Sequence, residues 1–439
     1  MIEHPRLSDR HQIVIVGGGA GGIELATRLG KKLGKREQAD IMLIDATRTH
    51  IWKPLLHEVA AGTLDSHENK LEYLAQANHN YFRFKWGRMC GLDRENKRVI
   101  LSPMLNDQGE GIIPQRSFVY DTLILAVGSV SHDFNIEGVR TYCTMLDTAA
   151  EAERFQKKLL ETYVKAHAQD KPIEQSQLHI AIIGAGATGV ELAAQLHKVS
   201  HLISVYGLDE ITSDHVKIHV IEAADHILSG VPLRVSNLVV AELQNIGVVV
   251  HTGERVVKVT SEGVVTQNGI IPAAIKVWAA GIKAADFLGD LGLETNAINQ
   301  LVVKQTLQST RDDDIFAFGD CAACAWVKNG TTVPPRAQAA HQQASLLVKS
   351  VTRKLQGRTL PEYHYKDYGT IVSLGAYSTV GSLMGALKSS VLVEGYFAKF
   401  VYWSLYKMHQ MAMYGVFRTA LLTLSHLFRR SVHAKMKLH

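Results

Sequence analysis

The sequence predicts an α/β protein of two parallel-sheet units, the second inserted in the first, followed by an amphipathic helical segment at the C-terminus. Three observations predict this class. Two stretches, beginning at His11 and His179, share the order of an apolar strand, a glycine-rich turn and a helix start. Residues 310–320 return to an apolar strand after the second stretch. Residues 395–439 differ in composition from the rest of the chain.

The composition is that of a globular protein with several domains. The chain has 439 residues, of which 46% are hydrophobic and 20% charged, and its formal net charge is +5. This length predicts two or three domains, and the composition excludes a disordered or collagen-like chain. Four cysteines are too few for a disulfide scaffold, which favours a reducing compartment. Residues 1–10 contain no apolar h-region, so we expect no secretory signal. We also expect no membrane-spanning helix, because no apolar run reaches the ~18 residues that spanning requires.

The first glycine-rich turn follows a G-x-G-x-x-G pattern. In this pattern Gly17 allows a tight turn, Gly19 lets a pyrophosphate approach the backbone, and Gly22 lets the helix pack closely on the strand. The start of the helix supplies N–H donors for the phosphates. The next apolar strand ends in Asp45, whose carboxylate is suited to accept a hydrogen bond from a ribose 2′-OH. These features predict a dinucleotide site.

The second turn repeats the pattern at Gly184, Gly186 and Gly189, and the strand after it ends in Glu222. A carboxylate at this place accepts a hydrogen bond from a 2′-OH and repels a 2′-phosphate, which favours NADH over NADPH. One such pattern would be weak evidence. Two copies, each with strand, helix and distal acid, predict two dinucleotide sites; the alternative is two glycine turns that bind nothing.

Three further strand-like runs fit the same architecture. Residues 122–128 and 275–281 each end at a glycine, where a strand would meet a bound nucleotide, and residues 310–320 close on Gly319-Asp320. The first domain is therefore predicted to be discontinuous. The predicted bounds are residues 1–150 and 300–370 for the first domain, 151–299 for the inserted domain and 371–439 for the C-terminal segment.

These motifs together resemble the two-dinucleotide-binding-domain flavoproteins, in which the first site binds FAD and the second NAD(P)H. Residues 310–320 are similar to that family's second FAD motif. The resemblance extends to the type II NADH dehydrogenases, which are membrane-associated, non-pumping NADH:quinone oxidoreductases. It rests there on residues 52–58 (WKPLLHE), 187–191 (ATGVE), 277–281 (VWAAG) and 337–342 (AQAAHQ). It implies two Rossmann-like domains with FAD and NADH as cofactors and a quinone as acceptor.

The same resemblance implies roles for individual residues. The implied FAD contacts are Gly17, Gly18, Gly19, Ala20, Gly21, Gly22, Asp45, Ala46, Lys53, Met89, Ala126, Gly128, Asp320, Ala337 and Gln338. The implied NADH contacts are Gly184, Gly186, Thr188, Gly189, Glu222, Ala280 and Gly281. Glu191 is implied near the nicotinamide and the flavin ring, and Gln338 and Gln342 near the quinone. His341 has no implied role.

The chemistry of such an enzyme requires a proton-handling group. NADH delivers a hydride, a quinone takes up electrons and protons, and a flavin can exchange electrons with both. Glu191 is the best candidate, because it lies in the first turn of the helix that follows Gly189. The helix dipole there favours the ionised carboxylate, whereas burial would raise its pKa. The alternative is a carboxylate that helps the helix to start, a role that would equally apply to Glu24 at the equivalent place in the first unit.

The two glutamines are candidates for the quinone site. Gln338 and Gln342 are four residues apart and so share one helical face. Neutral amides can orient a quinone carbonyl without the cost of burying a charge. The alternative is a glutamine pair that only solvates a surface helix.

Two other patterns are interpreted as structural. The pair Cys321 and Cys324 lacks the second ligand pair of a zinc site, so structural cysteines are favoured over a thioredoxin-like role. The sequence has 21 histidines but contains neither of the metal-binding motifs H-E-x-x-H and H-x-x-E-H. We therefore predict no metal site.

Residues 395–439 contain seven Lys or Arg and no Asp or Glu. Large apolar residues recur there at helical spacing, which predicts an interfacial helix on an anionic bilayer surface rather than a nucleic-acid site. The alternatives are a dimer interface or a helix packed on its own domain. The stripe comprises Phe417, Ala420, Leu421, Leu424, Leu427 and Phe428, preceded by Phe397, Phe400, Val401, Met408, Met411 and Ala412.

The sequence therefore predicts a peripheral flavoenzyme on the cytoplasmic face of the cell inner membrane. It would oxidise NADH by hydride transfer to FAD and reduce a membrane quinone to quinol without pumping protons, with a homodimer left open. The alternatives are a flavoprotein reductase with another acceptor, such as a sulfide:quinone or ferredoxin reductase, and a nucleotide-binding flavoprotein without turnover.

Overall fold

The computed structural model describes residues 1–6, 8–106, 108–174, 176–202, 208, 211, 215–374, 379–384 and 390–429. Its side chains are described throughout these ranges except at residues 370, 371, 379–384, 390–402, 426, 427 and 429. The chain forms two compact units. Unit 1 comprises Met1–Trp52, Lys70–Val130 and Ile282–Lys366, and unit 2 comprises Lys53–Asn69, Ser131–Gly281 and Asp367–His439.

The strands of the described residues are numbered in chain order. They are β1 (Ile2–His4), β2 (His11–Val16), β3 (Ala39–Asp45), β4 (Thr49–His50), β5 (Leu71–Glu72), β6 (Arg83–Trp86), β7 (Met89–Asp93), β8 (Arg98–Leu101), β9 (Met104–Leu105), β10 (Gly111–Ile113), β11 (Arg116–Val119), β12 (Thr122–Leu125), β13 (Ser129–Ser131), β14 (Thr144–Met145), β15 (Ile180–Ile183), β16 (Ile218–Ile221), β17 (Val249–His251), β18 (Val256–Val259), β19 (Gly263–Thr266), β20 (Gly269–Pro272), β21 (Ile275–Trp278), β22 (Ile282–Ala284), β23 (Leu301–Val303), β24 (Ile315–Ala317), β25 (Ala322–Trp326), β26 (Thr331–Thr332), β27 (Gly369–Ser373), β28 (Thr379–Met384) and β29 (Ser390–Glu394).

The α-helices of the same residues are numbered in the same way. They are α1 (Ala20–Leu29), α2 (Leu56–Ala60), α3 (Ser66–Asn69), α4 (Tyr73–His79), α5 (Val139–Tyr142), α6 (Ala149–His167), α7 (Ala187–Ser200), α8 (Leu233–Asn245), α9 (Ala337–Leu355), α10 (Gly395–Tyr414) and α11 (Val416–Arg429). Within the described ranges, no helix is both long and apolar enough to cross a lipid bilayer.

Unit 1 is built on a parallel sheet with the strand order β24-β12-β2-β3-β6. Its central strands are continuous apolar runs, as expected of strands covered on both faces. Helix α1 connects β2 to β3, because parallel neighbours require a crossover, and it packs against α9. The antiparallel strands β7, β8 and β11 form a second sheet with β1 at its edge.

Unit 2 repeats this plan with the parallel order β14-β21-β15-β16-β17. Helix α7 connects β15 to β16, as α1 connects β2 to β3. The crossover helix predicted around residues 147–166 is α6, which begins at a capping box between Thr148 and Glu151. The α/β class with two parallel sheets is thereby confirmed.

The C-terminal part of unit 2 is an antiparallel sheet, β27-β28-β29, followed by α10 and α11. Helices α10 and α11 lie within the predicted C-terminal segment, and their role as a membrane anchor stays a prediction. The bounds of the two units differ from the predicted domain bounds: Lys53–Asn69 and residues 131–150 belong to unit 2, and residues 282–299 to unit 1. Which unit binds which cofactor stays a prediction at this point.

Candidate functional site

The first glycine turn requires glycine at its two ends. Gly17 has φ +104°, and a Cβ there would lie 2.3 Å from the carbonyl oxygen of Ala126. A Cβ on Gly22 would lie 1.8 Å from the carbonyl oxygen of Gly17. Gly19 differs, because a Cβ there would meet nothing within 4 Å and no side chain caps the start of α1. The turn therefore leaves open space in front of the first N–H groups of α1, where a phosphate binds best.

The second turn has the same construction. Gly184 has φ +102°, and its Cβ would lie 2.6 Å from the amide nitrogen of Ala280. A Cβ on Gly189 would lie 2.0 Å from the carbonyl oxygen of Gly184. Gly186 precedes α7 with no side-chain cap, and its Cβ would meet nothing within 4 Å. Each unit thus presents a cradle that a side chain would fill.

The two acids occupy matching positions beside these turns. Asp45 Oδ2 accepts a hydrogen bond of 2.6 Å from the amide of Gly18, the residue after the first glycine. Glu222 Oε2 accepts one of 2.8 Å from the amide of Ala185, the equivalent residue. Asp45 Oδ1 accepts both the amide and the hydroxyl of Thr47, so the remaining lone pair for a ribose hydroxyl is on Oδ2, as it is on Oε2 of Glu222. The residues present therefore fit an adenine dinucleotide in each unit.

Further predicted FAD residues of unit 1 lie at the same sheet edge. Because β24, β12, β2 and β3 are parallel neighbours, the residues that follow them meet at their carboxyl ends. Gly128 follows β12, with φ +75° and nothing within 4 Å of its Cβ position. Asp320 follows β24, and Ser129 Oγ donates to its Oδ2 at 2.9 Å. In unit 2, Ala280 and Gly281 likewise follow β21, beside the second turn.

The remaining predicted contacts come from several elements, and of these Ala46 directly follows β3 at the same sheet edge. Met89 begins β7 and is buried, and the carbonyl of Ala46 accepts a hydrogen bond from Trp86 Nε1 at 3.0 Å. Ala337 begins α9, followed by Gln338. Lys53 belongs to unit 2, where its Nζ lies 3.5 Å from Asp147 Oδ1. In unit 2, Thr188 is exposed in the first turn of α7.

Two polar residues that sequence reasoning missed hold the first unit's turns. The buried Tyr73 donates its hydroxyl to the carbonyl of Gly18 at 2.7 Å. Gln343 Oε1 accepts the amide of Gly319 at 2.8 Å and is also buried. Tyr73 lies 55 residues from its partner, so no local pattern indicates this bond.

Glu191 is the fifth residue of α7 (Ala187–Ser200), so the prediction that it lies in the first turn of this helix is wrong. Only 7% of its side chain is exposed. The amide of Ser373 donates to Oε1 at 3.0 Å, and His57 Nδ1 lies 3.4 Å from Oε2. Burial raises the pKa of Glu191 to about 8, although the Ser373 amide opposes this shift. The carboxyl group is therefore protonated near neutral pH, with a pKa suited to proton transfer there.

Its counterpart Glu24 has a different environment. Glu24 is 1% exposed, and its two oxygens lie 2.8 Å from Arg28 Nη1 and 2.5 Å from His341 Nδ1. The hydrogen bond to Glu24 raises the pKa of His341, which favours an ion pair. This contact joins α1 to α9 and gives His341 a structural partner. Glu24 is thus held between two basic side chains, whereas Glu191 faces an imidazole whose pKa burial lowers to about 4.

The predicted quinone residues lie in the first part of α9. Gln342 Nε2 donates to the carbonyl of Lys366 at 2.8 Å, and the Lys366 amide donates back to Oε1 at 3.0 Å. This pair of bonds ties the chain after α9 to the helix. Gln338 lies one turn earlier. A quinone contact by either residue stays a prediction.

Cys321 and Cys324 are buried and form no disulfide. Burial raises the pKa of each thiol to about 11, which disfavours the reactive thiolate at neutral pH. Among the residues that the structure describes, no group of three or more His, Cys, Asp or Glu is arranged to hold a metal ion.

Comparisons with known proteins identify the family of this chain. The family model for pyridine nucleotide-disulphide oxidoreductases matches residues 11–344. The type II NADH:quinone oxidoreductase of Haemophilus influenzae is 41% identical over 442 residues, covering 97% of this chain and 99% of that protein. The chain belongs to the type II NADH:quinone oxidoreductases. A second member, from Staphylococcus aureus, is 29% identical over 382 residues, covering 86% of this chain and 90% of its own.

A solved structure shares the fold of this type II NADH:quinone oxidoreductase. NDH2 from Plasmodium falciparum, in complex with NADH, superposes with a TM-score of 0.83. The match covers 98% of this chain and 100% of that one at 18% identity. At that identity the likeness concerns the fold.

We expect this type II NADH:quinone oxidoreductase to prefer NADH to NADPH, and Glu222→Gln to narrow the ratio of their kcat/KM values. A carboxylate about 4 Å from a 2′-phosphate costs roughly 1–4 kcal/mol, and the amide removes this repulsion. Initial rates with the two cofactors measure the ratio, with Glu242→Gln on α8 as the control. Equal use of both cofactors by the unsubstituted protein would contradict the role of Glu222.

Proposed function

We propose that this protein is a peripheral membrane flavoenzyme that oxidises NADH and reduces a membrane quinone to quinol without pumping protons. Its cofactors are FAD and NADH, and its acceptor is a quinone. The repeated cradle, with Gly19 and Asp45 in unit 1 and Gly186 and Glu222 in unit 2, carries the proposal. When bound, the flavin accepts a hydride and releases electrons to the quinone.

Unit 1 is proposed as the FAD-binding unit and unit 2 as the NADH-binding unit. Unit 1 combines its glycine turn with Asp320, which Ser129 holds at the carboxyl end of the sheet. In FAD the chain between the pyrophosphate and the flavin ring is longer than the ribose that separates the pyrophosphate from the nicotinamide in NADH. A second polar group at this edge of the sheet suits that longer chain. In unit 2, Glu222 suits the unphosphorylated ribose of NADH.

Glu191 is proposed as the group that handles protons during quinone reduction. Reduction of a quinone to a quinol takes up two protons as well as two electrons. A buried carboxyl group with a pKa of about 8 can give a proton and recover it near neutral pH. Its place on α7, directly after the Gly186 turn, connects this role to the proposed NADH-binding unit.

The alternative of a sulfide-oxidising reductase receives less support. Such a reaction needs reactive thiolates, and Cys321 and Cys324 are buried with raised pKa values. Steady-state assays distinguish the two: NADH consumption should match quinone reduction, with no turnover when sulfide replaces NADH. Sulfide-dependent quinone reduction would overturn the proposal.

The membrane proposal rests on an exposed apolar stripe on α11, consisting of Phe417, Leu421, Leu424 and Phe428. These side chains are 75%, 52%, 52% and 70% exposed, although their spacing is that of one helical face. Thr419, on another face of the same helix, is buried. A stripe of this kind suits insertion into the boundary between headgroups and acyl chains. Leu427, Phe397, Phe400 and Val401 of the predicted stripes lie outside the described side chains.

We expect the triple variant Phe417→Ser, Leu421→Ser, Leu424→Ser to lose most of its binding to anionic liposomes. The variant removes three apolar side chains that would enter the bilayer and leaves the buried Thr419 in place. Co-sedimentation with liposomes measures the bound fraction. The control is Leu105→Ser with Ile112→Ser, two exposed apolar residues of unit 1. Unchanged sedimentation of the triple variant would contradict the stripe's role.

For the quinone site, Gln338→Leu and Gln342→Leu are each expected to slow flavin reoxidation by quinone more than flavin reduction by NADH. Loss of an amide removes a hydrogen bond to the quinone carbonyl. Stopped-flow measurements separate the two half-reactions. Thermal unfolding serves as the control for Gln342→Leu, which also breaks the bonds to Lys366. If both variants retain both rates, the quinone binds elsewhere.

A further inference from the structure

An aromatic ring in unit 2 is exposed beside the carboxyl end of β21. Phe134 is 54% exposed, and its ring stacks on His132, with the two centroids 4.3 Å apart and the two planes 21° apart. The amide of Phe134 donates to His132 Nδ1 at 2.7 Å. The ring of the buried Trp278 lies next to this pair, with its centroid 6.5 Å from that of Phe134. The fold thus covers one side of the Phe134 ring and leaves the rest in contact with solvent.

The backbone that carries this ring is strained. Phe134 and Asn135 have φ +50° and +56°, in the left-handed region that residues with large side chains rarely adopt. The buried Asp133 fixes the turn, because its Oδ1 accepts the amide of Asn135 at 3.3 Å and its carbonyl accepts that of Ile136 at 3.0 Å. Its Oδ2 accepts a hydrogen bond from Arg140 Nε. Strain of this kind persists where the surroundings impose it, and it is concentrated at ligand-binding segments.

The edge of the ring rests on Gly281. A Cβ at this glycine would lie 2.4 Å from Cζ and 2.6 Å from Cε2 of Phe134. The amide of His132 donates to the carbonyl of Gly281 at 3.2 Å, which fixes the pair of rings to this residue. Gly281 directly follows Ala280, whose amide nitrogen lies 2.6 Å from the Cβ position of Gly184 in the second turn. The ring of Phe134 therefore lies close to the nucleotide cradle of unit 2.

The strand order of unit 2 indicates which half of a bound NADH would reach this ring. The pyrophosphate is proposed at the Gly186 turn, which follows β15, and Glu222, directly after β16, is proposed to hold the adenosine ribose. Strands β16 and β21 are the two neighbours of β15, one on each side. A dinucleotide that crosses the turn from the β16 side therefore places its nicotinamide half beside the residues that follow β21.

We propose that Phe134 is a binding residue for the nicotinamide ring of NADH, against which the exposed part of its own ring packs. The inference rests on the proposed assignment of the NADH site to unit 2. Aromatic side chains pack well against planar heterocycles such as nicotinamide. The oxidised ring of NAD⁺ also carries a positive charge, which the face of a phenyl ring attracts. This contact strengthens binding of the nicotinamide half alone, because the adenosine half lies on the other side of β15.

Sequence reasoning predicts a role for Gly281 but none for Phe134. The two residues belong to distant parts of the chain, and no spacing or periodicity indicates that they meet. The fold also explains why residue 281 is a glycine, since a Cβ at that position would collide with the Phe134 ring.

The test measures the binding of NAD⁺ and of ADP-ribose to the full-length, FAD-loaded protein by titration calorimetry. ADP-ribose retains the adenosine, the pyrophosphate and the second ribose of NAD⁺ but lacks the nicotinamide. Phe134→Gly removes the ring and suits the left-handed backbone, so the fold should be retained. We expect this variant to bind NAD⁺ about tenfold more weakly than the unsubstituted protein and ADP-ribose equally well. Phe134→Tyr, which keeps the ring, should bind both ligands normally.

Asn135→Gly is the matched control, because it changes the other left-handed residue of the same turn and leaves the ring in place. It should bind both ligands normally. The inference is wrong if Phe134→Gly changes the affinities for NAD⁺ and ADP-ribose by the same factor, or changes neither. It is also wrong if Asn135→Gly weakens NAD⁺ binding as much as Phe134→Gly does, since the effect would then come from the turn and not from the ring.

Gly186→Val separates this inference from the proposed function. Its side chain should block both ligands if the nucleotide binds at the second turn. If Gly186→Val binds both ligands normally, the NADH site has been assigned to the wrong unit, and the inference about Phe134 is overturned with it. If Gly186→Val loses both ligands while Phe134→Gly retains its affinity for NAD⁺, the site assignment stands and only the role of Phe134 is overturned.

Discussion

Replacing Glu191 with Gln is expected to slow reoxidation of the reduced flavin by quinone by about 10²-fold or more. The amide retains the shape of the side chain and an oxygen that can accept the Ser373 amide, but it cannot exchange a proton with the quinone. Reduction of the flavin by NADH should change much less, because that half-reaction transfers a hydride. Stopped-flow absorbance of the flavin measures both rates.

The pKa of Glu191 also predicts how the rate of flavin reoxidation by quinone changes with pH. The acid form of Glu191 is the proton donor, and it is lost as the pH rises through a pKa of about 8. The quinone half-reaction should therefore fall above that pH in the unsubstituted protein, and this fall should be absent in Glu191→Gln. The exposed Glu161→Gln on α6 is the matched control. Equal rates for Glu191→Gln and the unsubstituted protein would contradict the role assigned to this carboxyl group.

The second large effect is expected from a valine at the middle glycine of each turn. Gly186→Val should weaken NADH binding by more than about 10²-fold while FAD remains bound, and Gly19→Val should yield protein without FAD. At both positions a Cβ meets nothing within 4 Å and φ is not positive, so the backbone accepts a residue with a Cβ. The valine instead fills the space that the pyrophosphate needs, in front of the helix N–H groups.

Flavin absorbance of the purified protein and titration with NADH measure these two effects. Gly111→Val is the matched control, because its Cβ also meets nothing within 4 Å but it lies in β10 and belongs to neither turn. Loss of FAD from Gly186→Val with normal FAD content in Gly19→Val would show that the two sites had been assigned in the wrong order.

The repeated nucleotide-binding plan could be predicted because it depends on neighbours in sequence. Gly17 and Gly22 are close along the chain, and the clash of a Cβ on Gly22 with the Gly17 carbonyl is a property of the turn itself. The same holds for Gly184 and Gly189. Apolar runs then place the strands, and the parallel sheet brings Asp45 beside Gly18.

The environment of Glu191 could not be predicted in this way. Its hydrogen-bond donor Ser373 is 182 residues away, and no periodicity indicates that the two meet. The orientation of α9 is a similar case. Gln342 forms a hydrogen bond with Lys366, whereas its neighbour Gln343 forms one with Gly319. Which of these side chains faces which partner depends on the rotation of α9 about its own axis, and packing against α1 sets that rotation. The sequence pattern alone does not contain that rotation.

The most direct test of the central claim is an anaerobic absorbance titration of the purified protein. One equivalent of NADH should bleach the flavin band, and one equivalent of a soluble quinone should then restore it, with quinol as the product. A flavin that NADH does not bleach, or that stays reduced in the presence of quinone, would contradict the account.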